Sequence, residues 1–186
     1  MRLFQPHGQG TRDTMSRREG DGMNIHDTST AATHIDHVDL DVLENVLSFY
    51  IRVLDTSVSR DLDERLKNLE VAKGKGKITA LFLIDSHPGI RPSVVADLAM
   101  RDRSAMGRIL DTLEQQGLIF RKASQEDSRA QELYITPKGA ALAVKVREIA
   151  VQQSEDFFDK IIPRDEQEVM MGILKRAYRR LRENRT

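Results

Sequence analysis

"VADLAMRDRSAMGRILDTLEQQGLIFRKAS", Val95 to Ser124, runs directly into "QEDSRAQELYITPKG", Gln125 to Gly139, and the reading of these two stretches decides the fold. Asp102 has the side chain of a good N-cap for a helix from Arg103 to about Gln116, on which Met106, Ile109, Leu110 and Leu113 recur at helical spacing. Gly117 suits the position just past such a helix, where the backbone turns left-handed. "LIFR" (Leu118 to Arg121) and "ELYIT" (Glu132 to Thr136) then read as two strands, and the polar "EDSRAQ" between them as a hairpin tip. Thr136 and Pro137 supply the N-cap and first turn of a further helix, expected to run to about Lys160.

Upstream, apolar residues from Leu43 to Leu69 recur at steps of three and four, which predicts one long amphipathic helix from Asp39 to Ala72. "KGKGK" (Lys73 to Lys77) breaks it, and a short apolar helix follows from Ile78 to about Ser86, stopped by His87, Pro88 and Gly89. Pro92 opens a helix carrying Val95, Leu98 and Ala99, and Pro163 opens a last one ending near Leu181. The expected fold is mostly α with one small β-hairpin. Residues 1–37 are polar, glycine- and histidine-containing and without period, so a disordered tail is expected there. Its start, "MRLFQP", lacks the apolar core of a secretory signal.

Composition removes several classes of function. The 186 residues contain no cysteine, which excludes disulfides, thiol redox sensing and cysteine-held zinc and agrees with a cytoplasmic setting. The longest apolar run, "ALFLI" at Ala80 to Ile84, is far short of a membrane span. No phosphate loop, dinucleotide fingerprint, zinc-protease motif or serine elbow is present, and acids such as Asp61, Asp63 and Glu64 sit among Arg60, Arg65 and Lys67 as ion-paired helix surface. Neither catalytic residues nor a cofactor are expected. His34 and His37, with Asp36 and Asp39, belong to the polar tail rather than to a metal site.

Two short helices joined by a tight turn and followed by a hairpin form the winged helix-turn-helix plan, here over about 78–136. The second helix of the pair would enter the major groove of duplex DNA, presenting Arg103, Ser104, Ala105 and Arg108 to base edges. Small Ala105 and Gly107 permit close approach. Arg91 is expected on the same side, and Arg129 at the hairpin tip would reach a narrow minor groove. Asp127 would brace the wing through local hydrogen bonds. As an ordinary solvated turn, the same tip would leave Arg129 pairing with Glu126 or Glu132. The net charge of the whole chain is zero, and Pro88 to Lys138 holds eight basic against seven acidic residues, thin for a DNA-facing surface.

These residues carry a family resemblance. "DSRAQELYITPKG" resembles the wing signature of MarR-family regulators, with Ile135-Thr136 where Leu-Thr is usual, and Leu113 to Arg121 is similar to the family's L-x-x-x-G-L-I-x-R ending. The resemblance spans about 38–182. It implies a homodimer joined through helices within 39–72 and 137–182, two winged domains reading a pseudo-palindrome, and repression relieved by a small ligand. The pocket so implied would include Phe49, Arg52, Phe82 and His87, suited to an aromatic acid or its thioester. The alternative is a dimeric winged-helix interaction module that reads no DNA sequence.

Overall fold

The computed structural model describes residues 38–125 and 130–185, so the tail expected over 1–37 lies outside the described residues. A 3-10 turn at Asp41–Asn45 precedes α1 (Leu47–Arg65), α2 (Lys75–Ser86), α3 (Pro92–Leu98), α4 (Arg103–Gln115), β1 (Ile119–Ala123), β2 (Gln131–Ile135), α5 (Pro137–Phe158) and α6 (Arg164–Glu183). The chain divides into two units, Met1–Glu44 and Asn45–Thr186. In the first, the Asp41 N–H donates to the Asp39 carboxylate at 2.8 Å. The second unit holds the six helices and the hairpin. No helix among the described residues is long and apolar enough to cross a membrane.

The stripe expected to form one helix from Asp39 to Ala72 is interrupted at both ends. α1 stops at Arg65, and successive turns carry the chain onward, with the Leu69 N–H bonded to the Leu66 carbonyl at 2.8 Å and the Ala72 N–H to the Leu69 carbonyl at 3.0 Å. Leu66 and Val71 are both fully buried. Five residues apart, they would point to nearly opposite sides of a helix, so burying both in one core requires the chain to leave helical geometry.

That core gathers Leu81 and Ile84 from α2, Val95 from α3, Met106, Leu110 and Leu113 from α4, Leu133 from β2 and Val146 from α5. Each such side chain contributes about 1.5–3 kcal/mol on burial. β1 and β2 pair antiparallel in the register Ile119 to Ile135 and Ala123 to Gln131. A bridge from Ile90 to Leu133 ties the loop before α3 to the hairpin, with the Gly89 N–H donating to the Leu133 carbonyl at 2.9 Å. Gly89 does this at φ +86, a backbone state in which side chains are strained.

The hairpin is fastened to both flanking helices at one junction. The Leu118 carbonyl accepts from the Thr136 N–H at 3.0 Å, and the Thr136 hydroxyl approaches the Gly117 and Leu118 carbonyls at 2.7 and 3.1 Å. The same hydroxyl oxygen caps α5 by accepting from the Gly139 N–H at 3.0 Å. A Cβ on Gly139 would lie 2.0 Å from the Leu118 carbonyl oxygen, whereas one on Gly107, within α4, would meet nothing within 4 Å.

Two substitutions should therefore move stability in opposite directions in thermal or urea unfolding. Gly139→Ala is expected to destabilise by about 3 kcal/mol, since backbone must move to admit the methyl group. Gly107→Ala should stabilise by about 0.5–1 kcal/mol, by removing helical glycine entropy at an uncrowded site.

Candidate nucleic-acid interface

α4 begins where the sequence places it. Asp102 adopts an extended N-cap conformation, and its carboxylate accepts from the Ala105 N–H at 2.7 Å and the Ser104 hydroxyl at 2.8 Å. The backbone N–H is the larger influence and the hydroxyl the next, and together they hold the Asp102 carboxyl below the usual aspartate range. With its hydrogen given to Asp102, Ser104 turns only acceptor lone pairs outward in this arrangement.

One face of α4 is sunk into the core through Met106, Leu110 and Leu113, and the other is bare. On that bare face Arg103, Ser104 and Arg108 are exposed and Ala105 is half-buried. Arg103 and Arg108 form no ion pair among the described residues. An open groove of about 430 Å³ brings Arg103 together with Arg91, Pro92 and Ser93 from the start of α3 and with Ala130 and Gln131 at the base of the wing. Arg91 and Arg103, twelve positions apart in sequence, thus share one concavity beside the hairpin. Ser93 and Gln131 join them unanticipated, because the groove exists only once hairpin and helices are packed. Arg129 and Asp127 lie outside the described residues.

Acidic residues near this surface are engaged by neighbours. The Arg121 guanidinium reaches Asp111 at 2.7 Å and also pairs with Glu114, and the Arg121 N–H donates to the Glu114 carboxylate at 3.1 Å. Arg121 is only 19% exposed, so it serves as a clamp between β1 and α4 rather than as a free cation. On the wing, hydrogen bonding from Ser124, then from the Tyr134 hydroxyl at 2.8 Å, holds the Glu132 carboxyl below its ordinary range, with lesser pulls from Lys122 and Arg91. That carboxylate in turn raises the Tyr134 phenol. Tyr134 stacks on Phe120 across the strands, ring centroids 5.4 Å apart.

The four residues expected around a small-molecule pocket fall into two pairs. Phe49 meets Tyr50 edge-on at 5.2 Å, and Arg52 donates to Ser48 at 3.2 Å, all on α1. Phe82 lies 5.0 Å beneath the Arg147 guanidinium of α5, and His87 at the end of α2 is 2.9 Å from the Ser86 hydroxyl. No hydrogen bond or ring contact among the described residues of this one chain joins the first pair to the second. No group of three or more potential metal ligands occurs among the described residues either.

Comparison with known proteins bears on this geometry. Residues 76–130 match the model of the MarR family. A putative transcriptional regulatory protein for the hcr operon of Thauera aromatica is 32% identical over 99 residues, covering 53% of this chain and 59% of that relative, less than two thirds of its length. The transcriptional repressor CouR bound to a 23-mer DNA duplex matches with a TM-score of 0.68 at 22% identity, over 75% of this chain and 97% of that one. CouR from Rhodococcus jostii RHA1 bound to p-coumaroyl-CoA gives 0.64 at 19% identity, over 74% and 95%. At these identities the structural likeness establishes the fold.

The lowered Asp102 carboxyl fixes the direction of a pH effect. Its stabilisation of the start of α4 is fully present above the unfolded aspartate value of about 4 and is lost as pH falls through the lower folded value. Unfolding of the parent and of Asp102→Asn, compared across pH, should show a difference that is constant near neutrality and shrinks only below about pH 4. A difference that already declines between neutrality and pH 5 would contradict the assigned hydrogen bonds.

Proposed function

We propose that this chain, whose residues 76–130 match the MarR family model, is a winged helix-turn-helix transcriptional regulator that acts as a homodimeric repressor, reads a pseudo-palindromic operator and leaves it on binding a small aromatic acid or its thioester. The observation that carries the DNA-reading part is α4 itself. It is anchored by three fully buried side chains on one face and bare on the other, where Arg103 and Arg108 form no ion pair among the described residues and Arg103 shares a groove with Arg91. Arg103 and Arg108 would contact base edges or phosphate in the major groove, where a guanidinium fork suits guanine. Ser104 would accept from a base amine, and Ala105 would face a thymine methyl. Arg129 would insert into the adjacent minor groove, with Asp127 bracing the tip.

Dimerisation is supported by apolar surface that one chain leaves uncovered. α1 and α6 bury no residue fully, and they expose Leu47 at 74% and Val169 at 65%, with Ile51, Ile173 and Leu181 also exposed. So much apolar side chain on two long helices of one soluble chain calls for a covering surface, and a second copy offers the same surface in return. The proposed 39–72 and 137–182 regions contain both helices. For the ligand, support comes from the similar fold of CouR with p-coumaroyl-CoA, an aromatic acid thioester, and from the aromatic and cationic groups Phe49, Arg52, Phe82 and His87.

Selection against random duplex DNA, followed by anisotropy titration of the winning site at two salt concentrations, tests this reading. A palindromic winner is expected, with affinity that falls as salt rises because phosphate contacts release counterions. Arg103→Ala should weaken it about tenfold or more and relax the sequence preference. Addition of aromatic acids or their thioesters to the complex should lower the anisotropy. If no sequence is enriched, the interaction module replaces the regulator. In sedimentation, the parent should run as a dimer and Val169→Glu with Ile173→Glu as a monomer.

A further inference from the structure

α6 reaches across the fold to grip the backbone just ahead of α4. The Tyr178 hydroxyl donates to the Leu98 carbonyl at 2.7 Å, and Arg185 donates to the Arg101 carbonyl at 3.0 Å. Arg182, between them, lies over the Tyr178 ring with its guanidinium 5.7 Å from the centroid. Arg182 and Arg185 also close a cleft of about 260 Å³ against Val94, Asp97 and Leu98 of α3.

The backbone that receives these bonds is the turn between α3 and α4. Leu98 ends α3, Asp102 caps α4, and between them Met100 stands at φ 54, left-handed without being glycine. A residue in that state persists where its surroundings hold it there. Within the turn, the Met100 and Arg101 N–H groups are already committed to the Asp97 and Ala96 carbonyls. The carbonyls of Leu98 and Arg101 flank the strained residue, and Tyr178 of α6 and Arg185 just past its end take one each. Tyr178 and Arg182, four positions apart, share one side of α6, and Arg185 follows just past its C-cap Asn184, whereas Val169 and Ile173 fall on roughly the opposite side of the helix, where they are exposed.

We propose that the C-terminal end of α6 positions the reading helix: Tyr178 and Arg185 lock the α3–α4 turn, and so the direction in which α4 leaves it, to the helix whose other side faces the second copy. This deepens the DNA-reading proposal and rests on it for its functional consequence. Two α4 helices meet successive grooves only if their separation is fixed. A grip from the dimer helix onto the turn before α4 fixes it more directly than the core alone, which holds α4 but does not tie it to α6. Tyr178 and Arg185 are positioning residues and touch no base.

The test uses the full chain carrying Tyr178→Phe, which keeps the ring beneath Arg182 and removes only the donor, and the double variant with Arg185→Met. In the free protein, amide exchange at Met100 and Arg101 should be about tenfold faster in the double variant than in the parent. Sedimentation should show an unchanged oligomeric state. Affinity for the selected operator should fall about tenfold, with affinity for random DNA unaltered. Arg185→Lys, which retains a donor, should bind nearly as the parent does. Unchanged exchange at the turn overturns the grip, and faster exchange with undiminished operator selectivity overturns its positioning role. A parent that selects no DNA sequence defeats the regulator reading separately, while the exchange comparison still decides whether α6 holds the turn.

Discussion

Three successive carbonyls, those of Gln116, Gly117 and Leu118, leave the end of α4 and all accept from one short segment at the start of α5. Lys138 donates to the first at 2.9 Å, the Thr136 hydroxyl reaches the second, and the Thr136 N–H takes the third. The end of a helix must find partners for its last carbonyls. Within α4 that need is met locally, by the N–H groups of Gln116, Gly117 and Leu118, and the three carbonyls that follow are taken by the segment that caps the next helix, so one segment fixes the exit of α4, the root of the hairpin and the entry of α5 together. Gly139 makes this possible by letting the Leu118 carbonyl come closer than any side chain would allow. This junction holds the far end of α4 and so helps to aim its bare face.

Charge follows a similar logic of commitment. A count of ionisable residues from Pro88 to Lys138 suggests a surface almost neutral. In the folded chain the acids there are largely occupied. Asp111 and Glu114 share Arg121, Asp102 is engaged by a backbone N–H and a hydroxyl, and Glu132 is held by Ser124 and Tyr134. Of the bases, Arg121 is consumed in the clamp and Lys138 in the junction, whereas Arg91, Arg103 and Arg108 stay unpaired among the described residues. Of these, Arg91 and Arg103 line the groove, so the field presented there exceeds what the near-zero tally implies.

Local grammar made much of this legible. The N-caps at Asp102 and Thr136, the left-handed Gly117 at φ +68 and the two apolar strand runs depend on residues a few positions apart, and the structure bears them out. The extent of α1 did not yield to the same reading. Leu66 and Leu69 keep helical spacing although the chain has left the helix, because turns that bury leucines can mimic its period. Arg121 looked like one more cation near DNA, and nothing in its neighbours signalled two carboxylates waiting on a helix packed beneath it. Tyr178 and Arg185 were equally silent, since their acceptors are backbone carbonyls some eighty residues upstream. Backbone acceptors leave no trace in side-chain identity.

The junction at Leu118 also has a meaning in time. The bonds that close it span short stretches of chain, 19 positions from Gly117 to Thr136, while those joining α1 to α5 span 91 from Arg65 to Asp156 and 95 from Val58 to Gln153. Short closures cost less chain entropy than long ones and are searched faster. On a ribosome, α3, α4, the hairpin and the start of α5 form a nearly contiguous piece that can close on itself as it emerges, before the C-terminal helix has been made. The part that would meet DNA is therefore the part able to assemble first, and the long helices complete the molecule around it.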